Sequence, residues 1–167
     1  AIPKTLTTFW EMNKTLGTPW DFRYEYPSPD GQKSLEFGFV GEVAMGAPLS
    51  GECFLNIKGE KLKLNGMFGG PIVWSENSEK AAIPYWTQNR FQKLAIIETN
   101  KMKMMISERY FRVIELSEIR NGLVLGIDSP IHRTERIEFD IKTEEYSSEI
   151  EIKTGYNNGY KQLGRKW

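Results

Sequence analysis

Apolar and polar residues alternate in short runs along most of the chain, and Gly, Asn and Pro separate these runs. An alternation with a period of two indicates strands with one buried face and one wet face. Aromatic and β-branched residues are frequent in the runs, which favours strands over helices. The pattern predicts strands at 35–45, 53–57, 62–64, 72–74, 81–83, 94–97, 102–106, 111–119, 123–127, 137–141 and 150–152.

Two turn sequences predict β-hairpins directly. Asn121-Gly122 lies between two apolar runs and is the strongest hairpin signal in the chain. Lys58-Gly59-Glu60 separates another pair of runs. Many short strands at this spacing argue against βαβ units. We therefore expect an all-β fold: an antiparallel β-meander, half-propeller-like or sandwich-like.

The two ends of the chain differ from this pattern. Thr8 to Glu11 has the form of a capping box, which predicts a short N-terminal helix that runs to Leu16 and stops at Gly17. Residues 1–31 are thus expected to form a helix and a loop arm, in which Gly17 to Gly31 is a loop or an edge strand. Residues 155–167 show no periodicity and are expected to form a loose basic tail. A length of 167 residues suits one β-rich domain over 1–167.

One stretch resembles a known family. Pro71-Ile72-Val73-Trp74-Ser75-Glu76-Asn77-Ser78-Glu79-Lys80-Ala81-Ala82-Ile83, followed by the strand from Gln92 to Thr99, resembles a blade of a bacterial β-propeller. The resemblance covers about 40 residues and implies that Trp74 packs between sheets while Ser75 ties the turn. The motif does not recur, and four blades would need a longer chain, so a closed propeller is excluded.

Charge and composition restrict the functional classes. Lys+Arg and Asp+Glu both total 22, whereas nucleic-acid binders normally have a basic excess, so no direct nucleic-acid binding is expected. Residues 128–151 hold eight acids and three bases, and four bases follow Glu151, which predicts a polarised surface. A single cysteine indicates a reducing compartment, and the chain has no run of membrane-spanning length. The sequence therefore predicts a cytoplasmic protein without membrane association.

Catalytic and metal-binding signatures are weak. Cys53 lies in an apolar strand without a basic cluster that would activate it, and His132 lies in a loop without the context of a catalytic triad. Zinc would need three or four His or Cys ligands, whereas the chain has one histidine and one cysteine. The glycines from Gly66 to Gly70 lack the Gly-Lys-Ser/Thr ending of a nucleotide-binding P-loop. We therefore expect no catalytic residue, no metal and no cofactor. A glycoside hydrolase with a pair of carboxylates remains an alternative, with candidates Glu36, Glu42, Asp128 and Asp140.

The feature that indicates a binding site is the mixture of aromatic and polar residues from Tyr85 to Phe91. Rigid rings beside an arginine and amides suit a binding hot spot, and such rings also stack on sugars. The acids of 128–151 would steer a basic partner towards the protein. The candidate partner-binding residues are Tyr85, Trp86, Asn89, Arg90, Phe91, Glu135, Glu138, Asp140, Glu144 and Glu145.

A small β-rich chain with neutral to acidic charge and no catalytic signature resembles the bacterial immunity proteins that neutralise toxins. The resemblance implies a non-enzymatic protein whose partner is a toxin domain, and it leaves the oligomeric state open. A carbohydrate-binding module is the main alternative, because such modules are also β-rich with exposed tryptophans.

Overall fold

A computed structural model describes residues 16–42 and 44–153 of the chain. The helix predicted from Thr8 lies outside these residues except for Leu16, and the predicted tail at 155–167 lies outside them entirely. In the described part, every paired strand is antiparallel to its neighbour. The prediction of an antiparallel all-β fold is therefore confirmed.

The described residues form fourteen strands. They are β1 (Gly17–Thr18), β2 (Asp21–Phe22), β3 (Glu25–Pro27), β4 (Lys33–Glu42), β5 (Leu49–Ile57), β6 (Glu60–Lys63), β7 (Val73–Trp74), β8 (Lys80–Trp86), β9 (Gln92–Glu98), β10 (Lys103–Ser107), β11 (Ile114–Arg120), β12 (Leu123–Asp128), β13 (Glu135–Asp140) and β14 (Tyr146–Glu151).

These strands form a two-stranded ribbon, β1-β2, and three larger sheets. The first sheet has the order β3-β4-β5-β6, the central sheet β14-β10-β9-β8-β7 and the third sheet β11-β12-β13. Neighbours in a sheet are consecutive in the chain, except that β14 returns to pair with β10. Each sheet is therefore a meander, and the last strand fastens the third sheet back to the central one.

The central sheet is buried on both faces. Along β9, Ala95 and Ile97 pack into one hydrophobic cluster with residues of the first sheet. Leu94 and Ile96, which alternate with them, pack into a second cluster with residues of the third sheet. Successive side chains of a strand point to opposite faces, so the three sheets stack as layers with the central sheet in the middle. This also explains why β9 is a continuous apolar run instead of an alternating one.

The two predicted hairpins are present. Asn121 and Gly122 have φ values of 51° and 80° and join β11 to β12, with Arg120 opposite Leu123. Lys58 and Gly59, with φ values of 51° and 78°, join β5 to β6. Positive φ at both central positions gives the turn a twist that matches the twist of the flanking strands.

The stretch from Pro71 to Ile83 connects the central sheet to the first and contains a tight turn. The Trp74 indole donates to the Tyr26 carbonyl at 2.8 Å, which links the central sheet to the first. The Ser75 hydroxyl accepts from the Lys80 amide at 3.0 Å and lies 2.7 Å from the Asn77 side-chain oxygen, so it ties the turn. Ala81 is fully buried, on the face of the central sheet that meets the first sheet. The relation to propeller blades itself remains a prediction.

Candidate functional site

The predicted aromatic loop divides into a packed part and an exposed part. Tyr85 is half-buried and lies edge to face with Phe68, with ring centroids 5.6 Å apart. Trp86 is half-buried, and its indole donates to the Leu49 carbonyl at 3.3 Å. These two rings fasten the central sheet to the first sheet. The exposed part consists of the remaining predicted residues Asn89, Arg90 and Phe91.

A tight turn fixes the direction of the exposed part. The Thr87 amide donates to the Phe91 carbonyl at 2.9 Å, and the Phe91 amide donates to the Thr87 hydroxyl at 3.2 Å. Arg90 has a φ of 64°, in the left-handed region, and its amide donates to the Thr87 carbonyl at 3.1 Å. Because Thr87 closes the loop on both sides, Phe91 is held at the start of β9 and does not belong to a loose tip.

Phe91 stacks on an aromatic residue that the sequence analysis did not select. Its ring lies edge to face with Tyr110, with centroids 6.3 Å apart, although the two residues are 47% and 59% exposed. The Lys93 ammonium lies 4.6 Å from the centroid of the Tyr110 ring and donates to the Ser147 hydroxyl at 3.1 Å. The two rings thus contact each other in a defined geometry, and the Lys93 cation lies against the Tyr110 ring.

A buried backbone link holds this pair in register. Gln92 and Phe111, the residues after Phe91 and Tyr110, exchange two backbone hydrogen bonds of 2.8 and 2.7 Å. The buried Gln92 side-chain oxygen also accepts from the Ile114 amide at 2.6 Å. The start of β9 and the segment before β11 therefore bring Phe91 and Tyr110, which are distant in the chain, side by side.

The residue before Tyr110 connects the aromatic pair to the predicted acids. Arg109 donates to the Glu144 carboxylate at 2.8 Å and to the Glu138 carbonyl at 3.4 Å. Its guanidinium also lies 5.0 Å from the centroid of the Phe111 ring. We call the surface made of Phe91, Lys93, Arg109, Tyr110, Glu138 and Glu144 the aromatic–acidic surface.

The structure distributes the predicted acids over β13 and the turn that follows it. Glu138 is exposed and accepts from Arg136 at 3.2 Å, and the Asp140 carboxylate accepts from the Lys142 amide at 2.9 Å. Glu145 is exposed, and its carbonyl accepts from the Glu108 amide. Glu135 lies at the opposite end of β13 from Asp140, about 17 Å from it along the strand. Of these acids, Glu144 is the one whose carboxylate contacts Arg109, the residue next to Tyr110.

Sequence analysis missed Lys93, Arg109 and Tyr110. Arg109 and Tyr110 were placed just before a strand predicted to begin at Phe111, whereas β11 begins at Ile114. A polar and aromatic tetrad, Glu108 to Phe111, between two apolar strands could have indicated a second exposed aromatic loop. The proximity of Tyr110 to Phe91 could not be predicted from the sequence, because it depends on the bridge between Gln92 and Phe111.

Cys53 and His132 are the two other side chains that the sequence analysis considered for catalysis. Cys53 is fully buried in β5, and burial raises the pKa of its thiol to about 12. His132 is exposed in the loop between β12 and β13. Among residues 16–42 and 44–153, no group of three or more His, Cys, Asp or Glu is placed to hold a metal ion.

Apart from the aromatic–acidic surface, a recess of about 420 Å³ lies at one end of the first sheet, beside Glu25, Lys33, Asn56 and Lys61. The Asn56 amide donates to the Ser34 hydroxyl at 3.0 Å and to the Glu36 carboxylate at 2.7 Å. Lys33 donates to the Ser78 carbonyl. The Lys33 and Asn56 side chains of the recess therefore already have hydrogen-bond partners within the protein.

The described tryptophans do not form an exposed sugar platform. Trp20, Trp74 and Trp86 are all half-buried, and each indole donates to a main-chain carbonyl. The other two tryptophans, Trp10 and Trp167, lie outside the described residues.

No protein family, curated protein or solved structure gives a significant match to this chain. In the part of the chain that the structure describes, no helix has the length and apolar character needed to cross a membrane.

Proposed function

We propose that this chain is a non-enzymatic binding protein: a cytoplasmic immunity protein of a bacterium, which binds a toxin domain and neutralises it. The observation that supports this most is the aromatic–acidic surface. Phe91 and Tyr110 are exposed yet held in a defined geometry, and the ion pair of Arg109 with Glu144 lies directly beside them.

This arrangement has the features of an energetic centre in protein recognition. Aromatic rings supply a large contact area at low cost in conformational entropy, and pre-ordered rings lose little freedom when a partner covers them. Glu138, Glu144 and Glu145 would form a charged rim that speeds the encounter with a basic partner. A toxin that acts on nucleic acid is often basic at its substrate-binding face. The three acids would therefore cover the face of the toxin that its nucleic-acid substrate needs.

Carbohydrate binding and carboxylate-dependent glycoside hydrolysis are the alternatives left by the sequence. The edge-to-face angle of 77° between Phe91 and Tyr110 gives two rings that are not coplanar, which suits a protein contact better than a flat sugar ring.

Co-expression with the product of the adjacent gene tests the proposal. We expect a stoichiometric complex that survives moderate salt and a loss of the toxicity that this product has when expressed alone. If the product has no toxicity, or keeps it in the complex, the immunity function is wrong. Retention on a glycan array that is lost in Tyr110→Ala would favour a carbohydrate-binding module. Turnover of a glycoside with a bell-shaped pH profile would favour the hydrolase.

A further inference from the structure

The outward face of the third sheet carries an aliphatic row. Val124 of β12 is fully buried in the core. Leu123, Leu125 and Ile127 alternate with it, so they point to the opposite face, where they are half-buried. Among the described residues, Leu123, Leu125 and Ile127 belong to neither of the two hydrophobic clusters, whereas the inward side of this sheet packs on the central sheet.

Charged residues flank the row on both neighbouring strands. On β11, the residues opposite Leu123, Leu125 and Ile127 are, in this order, Arg120, Glu118 and Glu115. On β13, the residues opposite the same three are Asp140, Glu138 and Arg136. The face thus has four carboxylates and two guanidiniums. Each guanidinium contacts a carboxylate of its own strand: Arg120 contacts Glu118 at 2.9 Å, and Arg136 contacts Glu138 at 3.2 Å.

Glu115 differs from the other acids of this face. It is half-buried opposite Ile127, and no described residue donates a hydrogen bond to its carboxylate or forms an ion pair with it. Loss of water around it raises the pKa of this carboxyl. A partly desolvated carboxylate without a cation beside an aliphatic row is the arrangement that a lysine or arginine with a long apolar stem would complement.

We propose that this face docks a basic segment of the partner protein, with a lysine or arginine head paired to Glu115 and an aliphatic stem resting on Leu125 and Ile127. The inference rests on the proposed function in that it takes the partner to be a protein. It adds a second contact and states its chemistry: a cation next to an apolar side chain.

Charge decides against two other occupants. A second copy of this chain, placed symmetrically, would bring the net negative face against itself, which is unfavourable for like charges in an interface. A nucleic-acid phosphate backbone would be repelled for the same reason.

A small probe tests the docking chemistry without the partner. n-Butylammonium has the head and stem of a lysine side chain, and n-butyrate has the same stem with the opposite charge. The experiment titrates each into the full-length protein at constant ionic strength and follows the Leu and Ile methyl groups by NMR. The variants are Glu115→Gln, which keeps the shape of the side chain, and the matched control Glu52→Gln, an acid on the outward face of the first sheet.

We expect butylammonium, and not butyrate, to shift the methyl groups of Leu125 and Ile127 selectively. Glu115→Gln should weaken this binding about fivefold, and Glu52→Gln should leave it unchanged. Equal shifts with both probes, scattered shifts, or no effect of Glu115→Gln would overturn the proposal. Nuclear Overhauser contacts from residues 1–15 to these methyl groups, or a concentration-dependent dimer that buries them, would also overturn it, because this chain itself would then be the occupant.

The outcome is independent of the toxin-inhibitor proposal. A failure with butylammonium removes the second contact and leaves the aromatic–acidic surface in place. A partner that is absent or not toxic refutes the immunity function, while the probe still decides the chemistry of the third sheet.

Discussion

Phe91 and Tyr110 stack edge to face at 6.3 Å on the surface of the protein, although nineteen positions separate them in the sequence. Their contact follows from the neighbouring bridge between Gln92 and Phe111, which joins the central sheet to the loop that leads into the third. This pair is pre-ordered, and that is why we place the binding centre here.

A double-mutant cycle measures this contact. Phe91→Ala, Tyr110→Ala and the double variant should give a coupling of about 0.5–1 kcal/mol in the free energy of unfolding, because the rings interact beyond the area they bury. Urea denaturation of the four proteins provides the numbers. Strictly additive effects would show that the rings are neighbours without an energetic contact.

Gln92, the residue after Phe91, stabilises the position of the Phe91–Tyr110 pair through its buried hydrogen bonds. Gln92→Met should lower the free energy of unfolding by about 1–3 kcal/mol, because the buried Ile114 amide loses its acceptor while the side-chain volume is nearly kept. Gln88→Met, at an exposed position of the same hairpin, is the matched control and should change stability by less than about 0.5 kcal/mol. Similar small effects in both variants would refute the structural role of Gln92.

The ion pair between Arg109 and Glu144 should matter little for folding. Both side chains remain partly exposed, so Arg109→Gln should cost less than about 1 kcal/mol in unfolding free energy. The same change should weaken partner binding more strongly, because a partner that covers the pair removes its screening by water. Thermal unfolding and titration calorimetry separate the two effects. A large loss of stability with unchanged affinity would contradict this assignment.

Cys53 should resist thiol reagents in the folded protein. Burial raises the pKa of its thiol from the ordinary value of 9.0 to about 12, so a reactive thiolate forms in quantity only after unfolding. With an aromatic disulfide reagent at about pH 8, we expect labelling in urea and almost none without it. Rapid labelling of the native protein would show that the first sheet opens readily.

The same shift makes stability depend on alkaline pH. The folded state holds the Cys53 proton more tightly than the unfolded state, so this contribution is complete below the ordinary pKa of the thiol and is lost as the pH rises above it. Between about pH 9 and 10, the unfolding free energy of the wild type should fall by about 1 kcal/mol more than that of Cys53→Ala. Tyr26 and Tyr146 also have raised pKa values, but both are present in the two proteins. Equal slopes would contradict the assignment.

Local features of the fold were readable in the sequence. Asn121-Gly122 predicted its hairpin, because positive φ at two successive positions is a local property of these residues. The alternation around Ile137 and Phe139 likewise predicted a strand with one buried face.

Long-range features were not readable. The return of β14 to pair with β10, and the burial of both faces of β9, depend on contacts between distant segments that no local pattern encodes. Tyr85 and Trp86 show the consequence for the site. The sequence pattern groups them with Phe91 in one aromatic loop, whereas the Phe68 ring and a hydrogen bond to the Leu49 carbonyl hold them half-buried.

The most direct test of the central claim is the affinity of the adjacent gene's product for variants of the aromatic–acidic surface. Phe91→Ala and Tyr110→Ala should each weaken the complex by about tenfold or more, as expected for aromatic residues at the centre of an interface. The controls Phe39→Ala and Tyr24→Ala remove rings that are 86% and 63% exposed elsewhere, and they should leave the affinity unchanged. Unchanged binding by both surface variants, or an equal loss in the controls, would contradict the account.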